Sequence, residues 1–415
     1  MLVTVLTTLT ATLLVAPESA TPDAVILSDD ASWTLMPDGA VVEEHQRRIR
    51  VLSERAHRRH ADPRIRFWDD AETVEILAAR VTQADGTIVE TPAYGRNLVT
   101  PGGYSRWPAF AAARERVITM SGLEPQAVVE LHWKKTTRSG TQPWLWGDIR
   151  LAGSDPVESR TVTVTIPEAQ GLSHQLSGLS GGGFEPKISR EGGKATFRWE
   201  FKDLPTDPDE PQAPSWRERS PRLLFTTCPQ TDAFVAGLLK PVEEAASPAE
   251  CMKKPIEAAV QAALDDPARV RAVQKLLRDS MNFVEQSDSW ERMNCRPAEN
   301  VFTSNYANTL ESGAVLVAML RAAGFSASPA LLVQPPDWDA RVPVPEGVAA
   351  VIARVDLAGQ RLWIHPAKGM VSARTCPGHA VLGSDPSVAL PSLSRESIPA
   401  EVAIQGRLEI EADGG

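Results

Sequence analysis

The stretch Tyr306-Ala307-Asn308-Thr309-Leu310-Glu311-Ser312-Gly313, running on through Ala-Val-Leu-Val-Ala-Met-Leu-Arg-Ala-Ala to Gly324 and then Phe325-Ser-Ala-Ser-Pro-Ala-Leu-Leu-Val333, decides how this chain is read. Asn308 is a good N-cap, Glu311 stands three residues on as the return half of a capping box, and Gly324 suits the left-handed position that ends a helix. Apolar residues fill nearly every side between these marks. The pattern predicts a helix over 309–323 that is buried all round rather than laid on a surface.

From Arg296 the segment reads R-P-A-E-N-V-F-x-x-x-Y and later A-M-L-R-A-A-G-F-x-A-x-P-A-L-L-V. It resembles the transglutaminase-like domain of bacterial exported proteins, a papain-related fold in which a Cys-His-Asp triad does thiol chemistry. The resemblance implies Y-G-D-C-K-D-K at the helix start. Counting back from Met319-Leu320-Arg321-Ala322-Ala323-Gly324 without a gap, the nucleophile falls on Thr309, the aspartate before it on Asn308 and the glycine on Ala307. The family's histidine opens a strand H-V-I-V, matched here by Ala350-Val351-Ile352-Ala353-Arg354-Val355, so Ala350 takes its place. The aspartate of W-L-D-P is matched in Trp363-Ile364-His365-Pro366 by His365. All three triad positions are substituted.

The chemistry that this removes follows from the residues alone. A thiol works at neutral pH because a helix N-terminus and a neighbouring imidazole hold it as thiolate. A threonine hydroxyl has no comparable acidity and needs a strong adjacent base. No histidine lies between Thr309 and His365. In the third triad position His365 stands one side chain behind the base, beyond the roughly 2.6 to 3.2 Å that direct proton abstraction requires. Thr309 therefore reads as a residue in the first turn of a structural helix. The rival reading is a relocated pair, Cys295 with His365, in which a helix N-terminus no longer supports the thiol.

Outward from this segment, 415 residues are too many for one ordinary core and imply several domains. A net charge of −10 argues against nucleic acid as a partner, since phosphate neutralisation needs a basic surface. Residues 2–16 form an uncharged apolar run closed by Pro17 and small residues, a length that fits a signal-peptide core and is too short to span a bilayer. Residues 1–20 are read as an export signal, although no Lys or Arg precedes Arg47. Export, to the periplasm or cell surface, is also the family's habit. No transmembrane span, cofactor or metal is expected in the mature chain.

Over 25–202 the pattern is one of strands. Trp33–Met36, the Pro37-Asp38-Gly39 turn and 40–52 read as a hairpin, and Val74–Thr82 with 87–91 as a second. Further strands are predicted at 116–120, 128–134, 157–166 and 195–201, where Ala195, Phe197, Trp199 and Phe201 alternate with polar residues as in half-buried antiparallel sheet. These features predict an all-β sandwich. Through L-M-P-D-G-A-V-V-E near residue 40 and L-A-A-R-V-T-Q-A-D-G-T-I-V near residue 80, the region resembles the domain of unknown function that precedes the transglutaminase-like module in such exported proteins. Eight arginines between His45 and Phe67 (Arg47, Arg48, Arg50, Arg55, Arg58, Arg59, Arg64 and Arg66) face only Glu54 and Asp62 in that stretch. They could attract an anionic polymer, or be neutralised by acids brought near by folding; the second reading is preferred. The glycines around Gly178–Gly183 lack the Gly-Lys-Ser/Thr of a phosphate loop and read as a plain loop. Trp144 and Trp146 read as core or domain-junction residues.

Prolines at 205, 208, 211 and 214 make 203–216 an extended linker. The second domain, 217–390, is predicted as an α+β transglutaminase-like (papain-like) module. Its helices are expected at 231–246, 255–264 and from Asp266-Pro267 to about 286, and its sheet at 327–334, 348–357 and 361–365. The four cysteines, Cys228, Cys251, Cys295 and Cys376, allow three pairings, of which Cys228 with Cys251 and Cys295 with Cys376 keeps each bridge within one module. Residues 391–415 read as a connector and a strand, 401–410, whose hairpin partner is missing, the start of a truncated further β domain. The functional expectation is a non-catalytic, envelope-located relative of transglutaminases that binds or braces a protein or an envelope polymer. The alternatives are an active cysteine amidase or acyltransferase using Cys295 and His365, and a purely structural adaptor.

Overall fold

The computed structural model describes residues 22–179, 184–284, 293–334, 337–357, 359–372 and 374–383; the run at 2–16, Gly181–Gly183, residues 285–286, Ala358 and the 401–410 segment lie outside the described residues. The protein is mostly β, with an N-terminal domain of several sheets followed by an α+β region. In chain order the first domain comprises β1 (Ala24–Leu35), β2 (Val41–Val51), α1 (Glu54–His60), β3 (Arg64–Trp68), β4 (Glu72–Thr82), β5 (Ile88–Glu90), β6 (Arg96–Val99), β7 (Ala113–Ile118), β8 (Val128–Thr137), β9 (Trp146–Arg150), β10 (Val157–Pro167), β11 (Ser173–Ser177), β12 (Lys187–Glu191) and β13 (Lys194–Leu204). Both expected hairpins form, their turns closed by Gly39 and Gly86 at φ +88°.

An eight-stranded sheet, ordered β12-β13-β10-β1-β2-β8-β4-β5, is the backbone of this domain. Side chains alternate across it, so Trp33 of β1, Val164 of β10 and Phe197 and Trp199 of β13 share one face. That face is covered twice. The small sheet β3-β7-β6 packs over one half through Ile65 and Ile118, and a second small sheet packs over the other through Leu223 and Phe225. One pairing departs from the antiparallel expectation, because β1 and β10 run parallel. Alternation fixes which side of a strand is buried and leaves its direction open, and the long excursion between these two strands lets the chain return in the same sense.

After the proline-rich segment come α2 (Trp216–Arg219) and β14 (Arg222–Thr226). The residues after the expected linker do not go directly to the second module. β14 pairs with β9 and β11 as the middle strand of the second small sheet, and its five residues are all buried. The proline stretch is itself anchored, since Arg150 donates to Asp207 Oδ2 at 2.8 Å and to Asp209 at 2.9 Å.

The α+β region continues with α3 (Thr231–Ala245), α4 (Glu250–Val260), α5 (Asp266–Ser280), β15 (Asn282–Phe283), α6 (Ala298–Ser304), β16 (Tyr306–Ala307), α7 (Thr309–Ala322), β17 (Ala327–Val333), β18 (Val348–Leu357), β19 (Gln360–His365), β20 (Gly369–Met370) and β21 (Ala380–Gly383). α4 starts at Glu250 rather than at Pro255, which sits inside it between the buried Met252 and Ile256. A proline in the second turn removes one backbone bond, and burial of the apolar face carries the helix through it. α5 stops at Ser280, earlier than its apolar period suggests, because Asn282 and Phe283 leave to pair with Tyr306 and Ala307.

α7 is buried from Leu310 to Leu320, as its composition requires. It lies between α3, α4 and α5 on one side and β17 and β18 on the other. A Cβ at Gly313 would overlap the Val351 side chain, so glycine there sets the close approach of helix and sheet. Gly324, at φ +91°, ends the helix in the left-handed region. Among the described residues no helix is long and apolar enough to cross a membrane.

Candidate functional site

The head of α7 carries Asn308, Thr309 and Glu311, the residues singled out in the sequence. Asn308 Oδ1 accepts from the Glu311 N–H at 2.9 Å and Glu311 Oε2 accepts from the Asn308 N–H at 3.0 Å, the reciprocal capping box that the sequence predicts. Glu311 is 1% exposed. A carboxylate at that depth needs a cation, and Arg296 supplies it: Nε to Oε1 at 2.6 Å and Nη2 to Oε2 at 2.9 Å. Two further bonds engage Arg296, Nη1 on Ser304 Oγ at 3.1 Å and Nη2 on the Tyr306 carbonyl at 2.8 Å. Its planar face lies 4.4 Å from the Tyr306 ring centre and 5.5 Å from that of Phe110.

Phe110 belongs to the β domain, and it is not alone. The Ala109 N–H donates to Tyr306 Oη at 2.9 Å, and the Trp107 ring lies 4.9 Å from the Tyr306 ring. Tyr104, Phe110, Trp68 and Tyr306 form one buried aromatic cluster with Val284. A loop of the first domain thus roofs the segment that leads into α7. The sequence carried no sign of this, because the partners stand nearly two hundred residues apart.

Thr309 is half-buried in the first turn, and its carbonyl accepts the Ser312 hydroxyl at 3.0 Å. Ala350 is buried on the face of β18 away from α7, beside Leu332, Ile352 and Cys376, whereas Val351, Ala353 and Val355 face the helix. His365 follows Trp363 in the alternation of β19 and lies on that same far side. Its Nδ1 accepts from the N–H groups of Ala367 at 3.1 Å and Lys368 at 3.2 Å. The imidazole therefore closes a turn as a carboxylate would at that place. Burial, with Lys368 and His379 nearby, pushes its pKa down to about 4.

The relocated pair has no support in this arrangement. Cys295 packs against the core on the α7 side, its thiol directed at the Arg296 carbonyl at 3.8 Å. Burial and the Glu311 carboxylate push its pKa far above the ordinary thiol value, the reverse of what a nucleophile needs. The expected disulfides are corrected as well: Cys228, Cys251, Cys295 and Cys376 are all free. Cys295 and Cys376 lie in clusters on opposite faces of the sheet, and the Cys228 thiol is directed at the Gln230 carbonyl at 3.5 Å.

Several of the arginines of 47–66 find acids from elsewhere in the fold. Arg47 pairs with Asp29, Arg59 with Asp155, and Arg64 and Arg66 with Glu115. Trp144 and Trp146 stand at the junction of the two regions, Trp144 stacked on Phe234 at 5.9 Å and Trp146 Nε1 donating to Glu346 at 3.1 Å. Among the described residues no group of His, Cys, Asp and Glu side chains is placed to hold a metal ion.

Residues 37–208 match the family described as a domain of unknown function with solved structure, DUF3857. No curated protein matches the chain. Among solved structures, a "putative protease" from Parabacteroides distasonis ATCC 8503 superposes with a TM-score of 0.80 at 22% identity, over 91% of this chain and 72% of that one. At that identity the two chains share a fold through both regions, and nothing further follows from the likeness. A "putative cysteine protease" from Cytophaga hutchinsonii covers 58% of this chain and 88% of its own at 10% identity, with a TM-score of only 0.25.

Proposed function

We propose that the chain is a transglutaminase-like protein that retains the papain-related scaffold without its acyl chemistry and serves a binding or bracing role in the cell envelope. What supports this reading is the head of α7, where the sequence resemblance puts Thr309 at the nucleophile's position and the polar groups nearby hold structure. Asn308 and Glu311 cap the helix, Arg296 neutralises Glu311, and the loop around Ala109 is hydrogen-bonded to Tyr306. His365, in the place of the family's aspartate, is committed to two backbone N–H groups. Envelope location is read from the apolar run at 2–16 and is tested by fractionating cells that express the full chain.

The catalytic question is tested by assaying the unmodified protein for amide hydrolysis and for acyl transfer to hydroxylamine. The expected result is no turnover above buffer. Turnover that iodoacetamide abolishes would return the protein to the cysteine enzymes. The companion variant Thr309→Cys/Ala350→His/His365→Asp asks whether the scaffold still supports the triad. Ala350 and His365 lie on the face of the sheet away from α7, so an imidazole and a carboxylate placed there point away from residue 309, and no activity is expected to return.

A further inference from the structure

The inner face of the eight-stranded sheet is broken in its middle. On β2 the residues that point inward are Val41, Glu43, His45, Arg47, Ile49 and Val51, apolar at both ends and polar between. Val41 belongs to the core under one small sheet and Ile49 and Val51 to the core under the other, so the polar residues mark the place where the two covers fail to meet. Asp29 of β1 is 1% exposed at the same level and is held by Arg47, Nε at 3.0 Å and Nη2 at 2.9 Å, and by Arg160 at 3.1 Å. Four charged or polar side chains on the interior of a sandwich are a costly arrangement for stability alone.

Above them lies a cavity of about 310 Å³, at the lower end of the range of small-molecule sites. Its lining includes Arg47 and Arg59, with Asp29 as the single carboxylate. Arg59 has only part of its donor set engaged, reaching Asp155 through Nη2 at 3.0 Å. Among the described residues Arg47 Nη1 has no protein acceptor, and 45% of the Arg47 side chain remains accessible although its carboxylate partner is sealed. The opposite wall is apolar, made by Ile65, Val129, Leu131 and the Trp133 ring, which stacks on His45 at 4.2 Å.

We propose that this cavity of the DUF3857 region is a binding site for a carboxylate borne on an apolar or aromatic body, either a free small acid or the C-terminal residue of a peptide. The spare guanidinium donors take the carboxylate, a geometry to which the planar fork of arginine is suited. The aliphatic wall and the Trp133 face take the body. The site is independent of the head of α7, so it stands or falls separately from the catalytic reading.

The test is calorimetric titration of the full chain with 4-phenylbutyrate and with the tripeptide Ala-Ala-Phe, each beside its carboxamide, while the Ile49 and Ile65 methyl signals are followed by NMR. The acids are expected to bind saturably, to shift those methyls, and to bind at least about tenfold more tightly than the amides, one charged hydrogen bond being worth about that factor. Arg59→Gln, whose acid partner Asp155 keeps His60 at 3.0 Å, should weaken the acids about tenfold and leave the amides unchanged. Ile65→Trp, which fills the cavity, should abolish binding of both. The tighter of the two acids identifies the source of the carboxylate. Equal binding of acid and amide on the unmodified chain, or no saturable methyl shift at millimolar acid, overturns the proposal without recourse to any variant.

Discussion

Two arginine–carboxylate pairs, one in each half of the molecule, have the same bidentate geometry and opposite surroundings. Arg296 and Glu311 at the head of α7 lie under an aromatic roof, with every nitrogen of the guanidinium engaged. Arg47 and Asp29 in the β domain lie at the edge of a cavity, with donors to spare and a second arginine on the same carboxylate. A sealed pair of this kind acts as a brace, whereas an open one can still recognise something. On the proposed reading, the capacity to bind a small ligand lies beside the open pair of the β domain and not beside the sealed pair at the head of α7.

The sharpest way to break the comparison is to remove each arginine in turn. Arg296→Met leaves Glu311 charged and buried with no cation and only the Asn308 N–H as donor, and should cost about 3–5 kcal/mol in denaturant unfolding. It should also loosen the β-domain loop, seen as faster hydrogen exchange at the Ala109 amide, whose acceptor Tyr306 leans on Arg296. If the loss is under 1 kcal/mol, the sealed pair is not a brace.

His365 offers the next largest effect and concerns the same module. The imidazole accepts two N–H bonds only when neutral, and burial holds its pKa at about 4 against an ordinary 6.5. The folded state resists the proton that the unfolded chain accepts, so the contribution is complete above pH 6.5 and is lost as pH falls towards 4. The loss over that window should approach about 2–3 kcal/mol. His365→Asn keeps an acceptor without a titrating group and should flatten the profile there. An unchanged slope in the variant would mean that this turn does not depend on the imidazole.

Arg47→Met should cost less than either, about 1–2 kcal/mol, because Asp29 keeps Arg160 at 3.1 Å. A cost equal to that of Arg296→Met would erase the distinction between the open pair and the sealed one.

The sequence disclosed the parts of this picture that are local. The capping box of α7 spans three residues, and the two hairpins are closed by turns whose glycines need the left-handed region, so all were legible from Asn308, Glu311, Gly39 and Gly86. Contacts that join distant segments were not. The parallel pairing of β1 with β10, the recruitment of β14 into the first domain's sheet, and the Ala109–Tyr306 bond all depend on topology that alternation does not encode. The cavity lies between these cases. Glu43, His45 and Arg47 stand in phase with Val41 and Ile49, but Glu44, Gln46 and Arg48 on the other face are polar too, so the strand's own pattern could not say which side was interior. The cysteines misled for a related reason, since an even count permits bridges and only the placement of Cys295 and Cys376 on opposite faces of one sheet forbids the pairing.

The junction between the two regions gives the smallest effect and the finest test of how they are held together. Trp146 of the β domain donates its indole N–H to Glu346 Oε1 at 3.1 Å, while Glu346 Oε2 is buried with no acceptor or donor facing it among the described residues. Burial first, and then the nearby Asp148 carboxylate, raise the Glu346 pKa above the usual glutamate value of 4.5. The folded state therefore holds a proton that the unfolded chain gives up. Stability from this group is complete below pH 4.5 and declines as pH rises through the raised value. Glu346→Gln retains the acceptor for Trp146 and never ionises, so at pH 8 it should exceed the native protein by about 1 kcal/mol, reduced somewhat by an amide N–H₂ that inherits the unpartnered position. At pH 4 the two should unfold at the same denaturant concentration. A variant that is less stable at both pH values would mean that the carboxylate is ionised in place and paired with a neighbouring arginine, and the junction would then belong with the sealed pairs of the α+β region rather than with the open one.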